Sequence, residues 1–86
     1  IDLFNYYWNQ YPRQAKRKEA ERAFVQALQK IAEKELRQIF DIQVFAYKKT
    51  DVQYIPYLHN WLNDERWTDG HLLKAIEARK KINKTT

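Results

Sequence analysis

The stretch Lys16–Ile31, KRKEAERAFVQALQKI, decides the fold. Ala20, Ala23, Phe24, Ala27, Leu28 and Ile31 recur at intervals of three and four, with Lys, Glu and Gln opposite them, which is the pattern of a helix with one buried face. The same spacing continues on both sides. Upstream, Phe4, Tyr7, Trp8 and Tyr11 predict a short helix over Leu3 to Tyr11, stopped by Pro12 because the residue before a proline is pushed out of the α region. Downstream, Leu36, Ile39 and Phe40, with Val44 and Phe45 beyond them, predict a third helix from Glu33 to Tyr47. Ile42, Val44 and Phe45 would also suit a strand, but no second strand candidate exists to pair with it.

Lys48-Lys49-Thr50-Asp51 is a polar connector into Tyr54-Ile55-Pro56-Tyr57-Leu58-His59-Asn60-Trp61-Leu62-Asn63-Asp64-Glu65-Arg66-Trp67. Within it Tyr54, Tyr57, Leu58, Trp61 and Leu62 fall on one face of a helix over Pro56 to Leu62, opened by the proline. Asn63 closes that helix, since Asn tolerates a left-handed backbone. A last helix is expected from Asp69 to Ile82, capped by Thr68, with Leu72, Leu73, Ile76 and Ile82 inward. Gly70 costs little in its first turn. The expected architecture is an all-α, compact single-domain bundle of four or five short helices over residues 1–86. The first residue is Ile rather than Met, so the domain is expected to be excised from a longer chain.

Composition narrows the function. A chain of 86 residues buries only about two-thirds of its unfolded surface, so large aromatics are needed inside. Trp8, Trp61 and Trp67 are therefore expected in the core, with Trp67 at a helix boundary, where it can also stack on a partner. The absence of cysteine removes disulfides and thiolate metal sites and permits a reducing, cytoplasmic setting. No apolar run approaches the roughly 18 residues of a membrane span, and no signal-type leader is present.

Candidates for catalysis are thin. His59 and His71 belong to no zinc-binding pattern. The acidic pairs Glu19/Glu21, Glu33/Glu35 and Asp64/Glu65 scatter over helix surfaces rather than converge. One glycine cannot build a phosphate-cradling loop. A non-enzymatic domain without metal or cofactor is expected.

Charge is more informative, with 16 Lys and Arg against 11 Asp and Glu and a net charge of +5, which favours a polyanionic partner. Arg13, Lys16, Arg17, Lys18 and Arg22 crowd the entry of the second helix, where the helix dipole disfavours cations. Residues set against a local preference point to a ligand, and phosphates are the ligand that Lys and Arg suit. Lys48, Lys49 and Arg66 are expected to join them, and Tyr54 and Trp67 are candidates for stacking on unpaired bases. The terminal Lys74, Arg79, Lys80, Lys81 and Lys84 sit near a helix C-terminus, where the dipole alone accounts for them.

Two motifs stand at a distance from one another: Phe4, Tyr7, Trp8, Tyr11, Pro12, Arg13 and Lys18 near the start, and Ile55, Pro56, Trp61, Leu62, Asn63, Arg66 and Trp67 further on. Together they resemble a small helical domain of bacteriophage and mobile-element DNA replication proteins, of initiator or helicase-loader type. The resemblance implies an accessory domain at the C-terminal side of a longer replication protein. Its expected ligand is DNA, single-stranded or forked rather than a specific duplex, because no recognition helix with base-reading Asn, Gln and Arg stands out. The alternative is a protein-interaction module that docks on a replicative helicase or another primosome component.

Overall fold

The computed structural model describes residues 3–84, without the side chains of His71 and of 79–84. Five helices follow one another: α1 (Leu3–Gln10), α2 (Arg17–Ala27), α3 (Glu33–Tyr47), α4 (Leu58–Asn63) and α5 (Gly70–Lys84). Single 3-10 turns, Val52–Tyr54 and Arg66–Thr68, precede α4 and α5. The described residues contain no strand, and the domain is the all-α bundle that the periodicity predicts.

The core is a chain of rings. Tyr7 of α1 lies between Phe24 of α2 and Phe40 of α3, at centroid distances of 4.7 and 4.6 Å. Phe40 meets Trp61 of α4 edge-on at 5.7 Å, and Trp61 meets Trp67 at 6.3 Å. Alanines 20, 23 and 27, all buried, let α2 approach the other helices closely. One polar side chain is buried among them: Gln43 accepts from the Trp61 indole N–H at 3.4 Å, as a buried indole needs a partner.

Several details differ from expectation. α2 ends at Ala27, four residues early, because Gln29, Lys30 and Ile31 tighten into a turn on the carbonyls of Gln26 and Ala27. Leu28 and Ile31 still pack, half-buried, on the core. α4 begins at Leu58, not Pro56, since the Pro56 carbonyl accepts the Tyr11 hydroxyl and Tyr57 stays extended as the cap. Tyr54 therefore lies in a 3-10 turn and is exposed rather than inward. Asn63 does end α4, yet the left-handed residue is Glu65, at φ 53°. Thr68 closes the preceding turn on the Glu65 carbonyl, while the Asp69 carbonyl accepts the first amides of α5. Leu73 and Phe45 are exposed, each one residue past the buried stripes Leu72–Ile76 and Leu36–Ile39–Phe40–Gln43–Val44. Ile82 and the basic groups of Arg79, Lys80, Lys81 and Lys84 lie outside the described side chains.

Candidate nucleic-acid interface

Two arginines of the basic entry, Arg13 and Arg17, turn toward the protein. Arg13 donates through Nη1 to the carbonyls of Val52, Gln53 and Ile55, at 3.2, 3.4 and 2.9 Å. Its guanidinium lies 4.4 Å from the centre of the Tyr57 ring, whose hydroxyl accepts from Nη2 at 3.4 Å. A planar, five-donor group suits this fork of carbonyls, and an ammonium does not. Arg13 thus clamps the loop after α1 onto the segment before α4. Arg17 turns to α1, bonding the Asn5 side-chain oxygen and covering Phe4 and Trp8 at 5.5 and 5.4 Å. Trp8, expected in the core, is half-buried under that guanidinium.

The remaining cations behave differently. Lys16, Lys18 and Arg22 are exposed and make no ion pair with a described residue. Lys18 and Arg22 stand one turn apart on the outer face of α2, opposite buried Ala20, Ala23 and Phe24. Lys16 caps α2 in the left-handed conformation, at φ 53° and ψ 60°, and no side chain bonds the amides of the first turn. A β-carbon makes that conformation costly, and a cation beside the positive end of a helix adds to the cost.

Clamping gathers groups that are far apart in sequence. The Tyr11 ring lies 6.0 Å from Tyr47, the last residue of α3, and Lys48 and Lys49 follow it in sequence. Lys48 is exposed, and the Lys49 ammonium sits 4.3 Å from the centre of the Phe45 ring. Arg66 is exposed and acts on Tyr47, whose hydroxyl burial makes harder to ionise and the Arg66 charge makes easier. In the turn gripped by Arg13, the Tyr54 ring is 73% exposed. Trp67 is buried against Trp61, which removes it from the stacking candidates: a core this small takes in the large ring.

Phe45 was not anticipated at the surface. Counting residues along α3 would have found it, since it falls one position outside the buried stripe. His59 stacks on Tyr57 at 5.9 Å, and its buried Nδ1 has no hydrogen-bond partner among the described residues. No group of three or more metal-ligating side chains occurs among the described residues, and no described helix is long and apolar enough to cross a membrane.

A family model described as the Legionella vir region protein LvrA C-terminal domain matches residues 2–65, from α1 through the end of α4. No curated protein and no solved structure matches the chain.

Proposed function

We propose that this chain, which belongs to the Legionella vir region protein LvrA C-terminal domain family, is a non-enzymatic DNA-binding accessory domain of a phage- or plasmid-type replication protein. It acts in the cytoplasm on single-stranded or forked DNA. Lys16, Lys18 and Arg22 contact phosphates from α2, with Lys48, Lys49 and Arg66 beside them, and Tyr54 stacks on an unpaired base. Arg13 and Arg17 hold the surface together instead of contacting DNA.

The observation that carries this proposal is the Arg13 clamp. By gripping the Val52, Gln53 and Ile55 carbonyls, it ties the loop that leads into Lys16, Lys18 and Arg22 to the segment that follows Lys48 and Lys49 and carries Tyr54, a tyrosine exposed over most of its surface. The strained, uncapped Lys16 adds support, because a glycine or an Asn would serve the backbone better there. The paired Phe-Tyr-Trp and Ile-Pro…Trp-Leu-Asn motifs support the replication setting through their resemblance.

Fluorescence-anisotropy titration with labelled single-stranded, forked and duplex DNA tests the proposal, beside a Lys16→Ala/Lys18→Ala/Arg22→Ala variant. Wild type should bind saturably and lose affinity as salt rises. The variant should bind more weakly and have a salt slope lower by about 2, as expected for three lost contacts on a single strand. Absence of binding at low salt would overturn the proposal. A second reading, docking on a helicase or other primosome protein, is favoured by the exposed Leu3, Val25 and Leu73. That contact would be insensitive to salt and to these three substitutions.

A further inference from the structure

A groove of about 420 Å³ lies between α3 and α5, lined by Asp41, Ile42, Phe45 and Ala75. None of these four residues belongs to the basic surface. Its volume falls in the range of about 300–1,000 Å³ that small-molecule sites occupy. Among the described residues its lining is apolar except for Asp41, and Phe45 is 64% exposed there although it is a large ring in a small protein.

The order of groups along α3 tells what fits. Asp41 and Phe45 stand four residues apart on one face of α3, about 6 Å of helix rise, and Lys49 follows in the turn beyond the helix with its ammonium over the Phe45 ring. A carboxylate, a ring and an ammonium in that order match the three parts of one nucleotide. The carboxylate accepts from an exocyclic amine on the base edge, the ring stacks on the base, and the ammonium pairs with the phosphate. Asp41 is already oriented, since its Oδ1 accepts the Tyr6 hydroxyl at 2.6 Å, and Oδ2 takes no bond from a described residue. The Lys49 ammonium rests 4.3 Å from the centre of the Phe45 ring, on a flexible stem that can swing to a phosphate as a base slides onto the ring. Lys48, exposed and without an ion pair to a described residue, lies next to it in sequence.

We propose that this groove takes an unpaired, amino-bearing base of single-stranded DNA, with Phe45 as its stacking platform, Asp41 as acceptor for the exocyclic amine and Lys49 on the adjoining phosphate. The proposal rests on the DNA-binding reading above and makes it more specific. It places a base-selective pocket on the α3–α5 face, apart from Tyr54, and it discriminates cytosine, with its amine at C4, from thymine, which presents a carbonyl oxygen there. A duplex, whose amines are paired, cannot enter.

The test is anisotropy titration of the whole chain with labelled oligo(dC), oligo(dT) and duplex, for wild type, Phe45→Ala, Phe45→Tyr and Asp41→Ala. Far-UV circular dichroism checks the fold of each. Wild type should bind oligo(dC) more tightly than oligo(dT). Phe45→Ala should weaken both by about tenfold, the scale of one base–aromatic stack, and Phe45→Tyr should restore them. Asp41→Ala should abolish the preference for oligo(dC) over oligo(dT). Folded Phe45→Ala protein that binds both strands like wild type would overturn the groove as a base site while the basic surface survives, leaving its apolar lining to a protein partner. Wild type that binds no DNA would overturn the groove and the DNA-binding reading together.

Discussion

Arg13 and Lys16 sit three residues apart in the same basic run and do opposite things. Arg13 makes three carbonyl bonds and covers Tyr57, so its loss removes the donor to the part-buried Ile55 carbonyl, the two exposed carbonyl bonds and the packing on the ring. Arg13→Ala should lower the unfolding free energy by about 2 kcal/mol in urea titration, and Arg13→Lys should recover little of it, because an ammonium cannot reproduce the fork. Lys16 makes no side-chain hydrogen bond to the amides of α2 and holds a left-handed backbone. Lys16→Gly should raise stability by about 1 kcal/mol by relieving that strain, and should weaken DNA binding at the same time. Paired urea and anisotropy titrations of this one variant check both signs. A gain in stability with unchanged binding would mark Lys16 as a residue without a role in DNA contact. The differing fates of these neighbours were not visible in the sequence, where both are simply cations. What separates them is the distant Val52–Ile55 carbonyl fork, a tertiary contact that no local pattern announces.

The helices themselves were legible wherever a face was buried without interruption. α3 runs from Glu33 to Tyr47 as the spacing of Leu36, Ile39 and Phe40 predicts, and the buried alanines of α2 lie where the repeat of three and four puts them. Termini were less legible, because side chains from elsewhere decide them. Tyr11 takes the Pro56 carbonyl and delays α4 by two residues, which turns Tyr54 outward. Periodicity also assigned Phe45, Leu73 and Trp8 inward, when a stripe has a width and each of these lies at its margin. For the candidate site, the basic residues could be read from composition, but the separation of clamping arginines from solvent-facing lysines could not. Trp67 illustrates the converse: its place beside Arg66 suggested a stacking group, while its packing on Trp61 serves the α4–α5 junction. Trp61→Ala should cost about 3–5 kcal/mol and leave Gln43 unpaired, a loss that urea unfolding would read directly.

For the whole molecule, the hydroxyls that tie α1 to its neighbours set a limit at alkaline pH. Tyr7 and Tyr11 are pushed up from the ordinary value of 10.0 chiefly by burial, Tyr7 also by its bond to Glu33 at 3.0 Å. Tyr6 is raised first by its hydrogen bond to Asp41, and Tyr47 by burial. Each is harder to ionise folded than unfolded, so above pH 10 the folded state binds more protons. The stability that these hydroxyls contribute is therefore complete below pH 10 and falls as pH rises past it, chiefly through the buried Tyr7 and Tyr11. Urea unfolding between pH 8 and 11 should show that decline, and Tyr7→Phe should flatten it. Charge is likewise a property of the whole. The exposed cations Lys16, Lys18 and Arg22 lie at the entry of α2 and Lys48 and Lys49 just past the end of α3, whereas the first turn of α3 carries Glu33 and Glu35. The central claim, that these cations bind DNA, is tested most directly by amide chemical-shift mapping of the labelled chain during titration with single-stranded DNA. Saturable shifts clustered at Lys16–Arg22 and Lys48–Tyr54, sparing Glu33–Glu35, are the result expected. Shifts that are absent, or centred on the acidic turn of α3, would contradict it.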